Sequence, residues 1–303
     1  MLNFYLEIIK IVNQTQEIKE PIKWKAGKEL GFGSFGRVIE GFNRLNGEIM
    51  AVKQINIQNS KNKTIKSIIK EVNILSEMKH NNIVRYIDIQ QDINQQHISI
   101  LLEYVVGGSL NDMINKYGSI NENLVQKYTK DILQGLEYLH YHGVVHRDIK
   151  GANILVDNNG ICKVADFGGA KKIIQQDTIL SLAGTANWMG PEVIKQQNFG
   201  RYSDIWSLGC TVIEMLTGKP PFYNLGNAFA TMFKIAQDNE SPPLPNNVSD
   251  ICKDFLQKCL NPNPLKRWNV YQLLRHEFIS RDQEENGFNQ EIQKNQEPNV
   301  KTL

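Results

Sequence analysis

Three polar side chains close together along the chain have the types needed to bind a metal ion and to accept a proton. Asp148 and Asn153 lie five residues apart in the run His-Arg-Asp-Ile-Lys-Gly-Ala-Asn, and Asp166 begins the run Asp-Phe-Gly. Carboxylate and amide oxygens are ligands that suit magnesium, and a carboxylate can also act as a general base. Metal-assisted chemistry is therefore a candidate for this part of the chain.

The segment between Asn153 and Asp166 predicts that these two side chains meet. Two apolar runs, 154–156 and 161–164, flank the turn sequence Asp-Asn-Asn-Gly. An Asn-Gly pair between two such runs is typical of a β-hairpin. Because a hairpin returns the chain to the end where it started, we expect Asn153 and Asp166 to be neighbours, with Asp148 one loop away.

A glycine-rich run near the start of the chain is a second candidate. Its members are Gly31, Phe32, Gly33, Ser34, Phe35 and Gly36. A dinucleotide-binding interpretation requires a helix to begin at the third glycine, whereas residues 37–42 predict a strand. A glycine loop between two strands can close its backbone amides over phosphates, because no Cβ blocks the approach. A turn with a purely structural role stays open for this run considered alone.

Lys53 and Glu71 extend the candidate site. Lys53 lies in a predicted strand and could pair with phosphate oxygens, while Glu71 lies beside the apolar positions Ile68 and Val72 of a predicted helix. Glu71 can therefore point toward the sheet and meet Lys53. Each residue alone has an ordinary alternative, since a strand lysine is usually solvated and Asp148 could cap a helix. Together, and in this order, they predict a magnesium-nucleotide site.

The elements that must position these residues change in type near Glu103. Before it, strand-like runs occupy 29–30, 38–42, 49–55, 83–89 and 98–104, and one helix is indicated by apolar residues that recur over 65–75. After it, helices dominate, including 124–139 and a run from Ile205 for which Ser203 is the expected N-cap. We predict an α+β fold with two lobes: a small antiparallel β-sheet lobe with one helix, and a larger, mainly helical lobe.

The motifs together resemble the signature set of eukaryotic protein kinases. The resemblance implies a bilobal protein kinase domain over 24–279, divided into a smaller lobe at 24–104 and a larger one at 105–279. Residues 1–23 would lead into this domain. Residues 280–303 are rich in Gln, Asn and Glu, and this composition predicts a disordered tail.

The resemblance also implies a role for each matching residue in catalysis. Asp148 would accept the proton of the acceptor hydroxyl as the catalytic base. Lys150 would contact the γ-phosphate of ATP. Asn153 and Asp166 would bind Mg²⁺. Positioning and charge neutralisation would then supply most of the rate, because phosphoryl transfer needs little covalent chemistry from the protein.

The nucleotide would be held by residues of both lobes, again by resemblance. Lys53 would orient the α- and β-phosphates of ATP, Glu71 would fix Lys53, and the glycine-rich run would cover the phosphates. Leu102 would control access to the rear of the pocket. The residues implied to surround the adenine are Val38, Ala51, Leu102, Glu103, Val105 and Leu155.

The acceptor class is indicated by Lys150, two residues after Asp148, and by Gly-Thr at 184–185, which are similar to kinases that act on serine and threonine. A narrower resemblance covers 146–172 and 204–222, which look like mitogen-activated protein kinase kinase kinases of the MEKK type. That resemblance implies a protein substrate, namely a downstream MAP kinase kinase.

Two alternatives from other functional classes stay open at this point. A pseudokinase scaffold would bind partners without chemistry, although every charged group of the candidate site is present. A small-molecule phosphotransferase would share some of these loops but would lack the Gly-Thr and Pro-Glu segment expected to dock a peptide. Phosphoryl transfer to protein in the presence of magnesium would exclude both.

Arg147, directly before the expected base, predicts a phosphate-dependent switch, because an arginine at the centre of the site needs an anion. Lys171 is the expected second basic contact. Ser181 best matches the position of an activating phosphorylation site, with Thr178 second. The phosphate would come from an upstream activating kinase or from trans-autophosphorylation.

Two expected contacts are architectural. Glu192 should pair with Arg267 in a buried bidentate bridge. Asp204 should brace the loop 146–153, which would be the catalytic loop, through its backbone amides. The chain departs from the family pattern at Gly169, Gly190 and Ala-Asn at 186–187, and the last of these lies where the residue after the acceptor would dock.

The composition of the chain limits which partners and which cellular compartment we expect. The chain has 303 residues, 41% of them hydrophobic and 22% charged, with a net charge of +2, which gives no reason to expect nucleic acid or a membrane as a partner. The four cysteines show no C-x-x-C spacing, and no apolar run reaches the roughly 20 residues of a membrane span. We therefore expect free thiols and a cytoplasmic location.

Overall fold

The computed structural model describes residues 21–33, 36–56, 62–92, 97–172, 186–197, 200–238 and 241–281. Several sequence expectations fall outside these ranges. They concern Ser34, Phe35, Thr178, Ser181, the Gly-Thr pair at 184–185, most of the lead-in and nearly all of the tail.

The first lobe is a five-stranded antiparallel sheet with the spatial order β1-β2-β3-β5-β4. Its strands are β1 (Trp24–Gly33), β2 (Gly36–Asn43), β3 (Ile49–Asn56), β4 (Tyr86–Asp92) and β5 (His97–Glu103). Residues alternate between the two faces along each strand. Met50 and Val52 therefore join an apolar cluster on one face of β3, whereas Lys53 and Ile55 point to the other.

Helix α1 (Asn62–Glu77) packs on the face that carries Ile55. Ile68 and Val72 of the helix are buried against Ile55 and Ile100 of the sheet. These residues recur at the three-to-four spacing of one helix face, so the helix has a single orientation on the sheet. Glu71, next to Val72, is thereby turned toward β3.

The second lobe is mainly helical. Its helices are α2 (Leu110–Tyr117), α3 (Glu122–Tyr141), α4 (Pro191–Ile194), α5 (Arg201–Thr217), α6 (Ala228–Asp238), α7 (Asp250–Cys259), α8 (Val270–Leu274) and α9 (Glu277–Ser280). Short strands β6 (Val144–Val145), β7 (Ile154–Val156), β8 (Cys162–Val164) and β9 (Lys171–Lys172) carry the loops of the site. The central helices α3 and α5 share one core with fully buried Trp206 and Phe255. The predicted two-lobed α+β class is confirmed.

Two boundaries differ from the prediction. Ser203 is not the N-cap of α5: the helix begins at Arg201 after Gly200, and the Ser203 hydroxyl donates to the Gly200 carbonyl at 2.6 Å. Strand β4 begins at Tyr86 rather than at Ile83, which forms an isolated bridge with Val164 of β8. Ile83 is apolar because it is buried in the core of the second lobe, not because it belongs to the sheet.

Candidate active site

The amino group of Lys53 joins the two lobes electrostatically. Its Nζ lies 2.7 Å from Oε1 of Glu71 on α1 and 3.1 Å from Oδ1 of Asp166 after β8. Lys53 and Glu71 are buried, and Asp166 is largely so. Burial alone lowers the pKa of Lys53, but the charges and hydrogen bonds of both carboxylates raise it above its usual value. The lysine therefore carries a fixed positive charge between the lobes.

Asp148 is held by its own loop. Its Oδ2 accepts hydrogen bonds from Lys150 Nζ at 2.8 Å and from Asn153 Nδ2 at 2.7 Å. Asn153 Nδ2 also donates to the backbone carbonyl of Asp148 at 2.8 Å. Among the residues that the structure describes, none donates to Asp148 Oδ1 or to Asn153 Oδ1. One carboxylate oxygen and one amide oxygen are thus left for other partners.

The predicted hairpin brings Asn153 and Asp166 together. Strands β7 and β8 pair antiparallel, and the Ala165 N–H donates to the Asn153 carbonyl at 2.9 Å, directly before Asp166. Asp166 itself has a left-handed φ of 56°, a conformation that costs a non-glycine residue about 1–3 kcal/mol. Its carboxylate accepts the Gly168 N–H at 3.3 Å, and the preceding carbonyl of Ala165 contacts His146 Nε2 at 3.0 Å.

Asp204 of α5 fixes the start of the loop 146–153, as expected. Its carboxylate accepts the backbone N–H groups of His146 at 2.9 Å and Arg147 at 2.8 Å, and it contacts His140 Nε2 at 2.8 Å. Burial raises the pKa of Asp204, but these hydrogen bonds and the charges of His140 and His146 outweigh burial and lower it. His140 could not be singled out from the sequence, because one histidine in the last turn of α3 carries no motif.

The described residues of the glycine-rich run lie at the ends of two paired strands, β1 and β2. Gly33 pairs with Gly36 at the tip of the β1–β2 ladder, so no helix begins at the third glycine and the dinucleotide-binding interpretation is excluded. An added Cβ on Gly36 would lie 2.1 Å from the Gln54 carbonyl, so only glycine fits there. Phe32, at the tip, is 81% exposed.

The residues expected around an adenine come from adjoining strands of the sheet and from β7. Val38 pairs with Lys53 across β2 and β3, and Ala51 pairs with Leu102 across β3 and β5. Leu155 of β7 is reached through the segment after β5, because Ser109 forms a bridge with it. The set is completed by Glu103, which ends β5, and Val105, which is buried just after it.

The predicted bidentate ion pair between Arg267 and Glu192 is present. Arg267 donates from Nη1 and Nη2 to the two carboxylate oxygens of Glu192, at 2.8 and 3.0 Å, and both residues are buried. An added Cβ on Gly190 would lie 2.6 Å from both of these oxygens, so glycine allows Glu192 to fold back over it. At Gly169 a Cβ would make only ordinary contacts, and nothing in the structure explains glycine there.

A family profile described as Protein kinase domain matches residues 24–279. The chain belongs to this family. Relatives include mitogen-activated protein kinase kinase kinase 2 of Arabidopsis thaliana, which is 45% identical over 91% of this chain and 43% of its own length. Mitogen-activated protein kinase kinase kinase A of Dictyostelium discoideum is 44% identical over 89% of this chain. The kinase YODA of Arabidopsis thaliana is 46% identical over 85% of it.

This protein kinase chain spans less than half the length of those relatives: 43% of the first and 29% of each of the other two. None of the helices among the described residues has the length and apolar character needed to cross a membrane.

Proposed function

We propose that this chain is an ATP-dependent protein serine/threonine kinase and acts as a MAP kinase kinase kinase. The observation that carries the proposal is the charged network of Lys53, Glu71 and Asp166, which spans both lobes beside a loop that presents Asp148. The substrate would be a MAP kinase kinase, in keeping with the names of the relatives. We further propose 24–279 as the domain, with its lobes meeting after Glu103.

The donor set fits Mg²⁺ bound with a nucleotide. No group of three His, Cys, Asp or Glu side chains among the described residues could hold a metal by itself. Mg²⁺ needs no such cage, because it keeps several waters and takes one or two carboxylates together with phosphate oxygens. Asp166 and Oδ1 of Asn153 would hold it, and the bound ion would neutralise phosphate charge.

Asp148 would take the proton of the acceptor hydroxyl. Its Oδ2 is occupied by Lys150 and Asn153, so Oδ1 is the oxygen that can receive that proton. Lys150, held at the same carboxylate, would lie beside the γ-phosphate. Asp148 and Lys150 would contribute through their positions, because their hydrogen bonds hold both side chains in place before the substrate binds.

The nucleotide would lie between the lobes. Lys53 would bind the α- and β-phosphates, because Glu71 and Asp166 keep it charged and in place. The glycine-rich run, including Ser34 and Phe35, would cover the phosphates. Six residues would contact the adenine, namely Val38, Ala51, Leu102, Glu103, Val105 and Leu155.

A pseudokinase scaffold and a small-molecule phosphotransferase are weaker candidates. A pseudokinase is disfavoured because Lys53, Asp148 and Asp166 are each held by charged or amide partners. A small-molecule enzyme is disfavoured by the match of the family profile through the peptide-docking segment, 184–192.

The deciding experiment measures transfer of radioactive phosphate from ATP to an inactive MAP kinase kinase, with and without Mg²⁺. We expect magnesium-dependent transfer by the wild type. Asp148→Asn and Lys53→Met should lower the rate by about 100-fold or more, because each removes a charge set for the transition state. Lys130→Met, at an exposed lysine of α3, is the matched control. Labelling of metabolites but not of protein would contradict the proposal, as would undiminished transfer by Lys53→Met.

We also propose that phosphorylation of Ser181, or else of Thr178, activates the enzyme. Arg147 supports this proposal because it is a partly buried cation directly before Asp148, and burial lowers its pKa more than the charge of Asp204 raises it. Lys171 would be the second contact of the phosphate. Mass spectrometry of the active enzyme tests the idea: neither residue modified, together with full activity of Ser181→Ala, would rule it out.

A cytoplasmic location is proposed from the thiols. All four cysteines are free and buried. A chain of this length that leaves every thiol unpaired is suited to a reducing compartment.

A further inference from the structure

The carboxylate of Glu214 lies where two segments of the proposed active site meet. Glu214 is on α5, and only 2% of it is exposed. Its Oε2 accepts the backbone N–H of Gly151 at 3.0 Å and the indole N–H of Trp188 at 3.0 Å. One buried oxygen atom therefore joins the catalytic loop to the segment that precedes α4.

On the catalytic-loop side, Glu214 acts next to Lys150. Gly151 follows Lys150 directly and begins the 3-10 turn that ends at Asn153. An added Cβ on Gly151 would lie 2.7 Å from Glu214 Oε1, so glycine is needed for this close approach. Fixing the Gly151 amide fixes the direction in which Lys150 leaves the backbone, and Lys150 Nζ binds Asp148.

On the other side, Glu214 acts on the segment expected to dock the acceptor. Trp188 ends the 3-10 turn 186–188, and its carbonyl accepts the Ser207 hydroxyl at 2.8 Å. Its neighbour Asn187 donates to the Pro221 carbonyl at 2.6 Å. These bonds attach the segment to α5 and to the loop after it. A displacement of the turn would therefore move the Trp188 indole relative to Glu214.

A buried carboxylate is sensitive to the loss of a donor. Burial raises the pKa of Glu214 more than the hydrogen bonds from Gly151, Trp188 and Asn111 and the charge of Lys150 lower it. In a medium of low polarity an oxygen that loses one of its donors is destabilised, and the remaining bond is perturbed. A change at Trp188 is therefore transmitted to the Gly151 amide.

We propose that Glu214 is a positioning residue that couples order in the segment 186–188 to the placement of Lys150 and Asp148. The inference rests on the proposed kinase activity. A segment that is correctly seated would satisfy the shared oxygen and hold the catalytic loop. A displaced segment would loosen that loop before any acceptor is bound. Glu214 belongs to the stretch that resembles the MEKK type, but no motif in that stretch assigned it a role.

The kinetic test compares variants with a serine-containing peptide as acceptor. Trp188→Phe deletes the indole donor, and we expect kcat/KM for the peptide to fall about tenfold while KM for ATP stays within about twofold. Glu214→Met removes the acceptor and should cost about 30-fold or more. Glu214→Gln keeps an oxygen that can accept both bonds, so it should stay within about threefold of the wild type.

The matched control is Thr211→Val. Thr211 is buried on the same helix, and its hydroxyl donates to the Ser207 carbonyl within α5, at 2.8 Å. We expect this variant to keep wild-type kinetics. Adding Trp188→Phe to Glu214→Met should cause no further loss, because the shared acceptor is already gone.

A second measurement needs neither activity nor the Met variant. Amide hydrogen exchange at Gly151 should be at least about fivefold faster in Trp188→Phe and unchanged in Thr211→Val, because only the former disturbs the shared oxygen. Unchanged exchange at Gly151 and unchanged kcat/KM in Trp188→Phe would overturn the coupling. If the wild type transfers no phosphate, the proposed function fails, and hydrogen exchange alone still decides whether the two segments are coupled.

Discussion

At the scale of single residues, the contact between Lys53 and Glu71 was predictable because both lie in short periodic elements. An inward lysine on a strand and a glutamate beside the apolar face of a helix leave few other arrangements. The contact of Lys53 with Asp166 did not follow from spacing, because those residues are far apart in the chain and meet only across the lobes. The shared oxygen of Glu214 was also missed, because an acidic residue inside an apolar helix pattern has no signature of its own.

Replacing Glu71 by Gln tests the value of that ion pair. Lys53 would lose the charge of one of these two carboxylates, and the phosphates would be held less firmly. We expect kcat/KM for ATP to fall by roughly 10- to 100-fold, since about 1.4 kcal/mol corresponds to a factor of ten. Steady-state kinetics at varied ATP measures this.

The control for that variant is Glu77→Gln on the same helix. Glu77 pairs with Lys172 at the surface, with more than half of its side chain exposed. Exposed pairs contribute about 0.2–1 kcal/mol, so we expect little change. Equal losses in the two variants would show that α1 has been disturbed as a whole and that the buried pair has no special part.

At the scale of elements, the types of the helices and strands followed from pattern, whereas their ends and the spatial order of the strands did not. The buried run Ile205, Leu208, Val212 and Met215 fixed the existence of α5. Its start was misjudged, because Ser203 can bond a carbonyl within the first turn as readily as it can cap. The start of β4 was misplaced for a related reason: Ile83 is buried in the core of the second lobe and does not join the sheet.

Asp204 gives α5 a pH-dependent contribution to stability. Its folded-state pKa lies below the unfolded value of about 3.9, so the ionised carboxylate stabilises the fold above that pH. The contribution is lost as the pH falls through the folded-state pKa. We expect Asp204→Asn to lower the free energy of unfolding at pH 7 by roughly 2–3 kcal/mol, because three donors lose a charged acceptor.

Urea denaturation at pH 7, 5, 3.5 and 2.5 checks this prediction. The difference between the wild type and Asp204→Asn should be nearly the same at pH 7 and 5 and should shrink below about pH 4, as the pH falls toward the folded-state pKa. Asp250→Asn, at a fully solvated carboxylate that begins α7, serves as the control and should show little difference at any pH. A difference of constant size across the series would mean that the aspartate acts through shape rather than through its charge.

At the scale of the whole molecule, the two-lobed architecture could be predicted because strand-like and helix-like periodicities separate along the chain at Glu103. The bridge between Glu192 and Arg267 could be placed only by resemblance, because its partners are far apart in sequence and no periodicity connects them. Of the two glycines that depart from the family pattern, Gly169 and Gly190, only Gly190 has a structural explanation. The structure accounts for Gly190 through the carboxylate above it and gives no reason for Gly169.

The positions of the cysteine thiols make the two lobes chemically distinguishable. Every cysteine belongs to the helical lobe, and the sheet lobe has none. Burial raises the pKa of each thiol, to about 12 for Cys252, so alkylating reagents find almost no thiolate in the native state. We therefore expect alkylation only when the helical lobe opens, so that its rate measures this opening and does not respond to fraying of the strands in the sheet lobe.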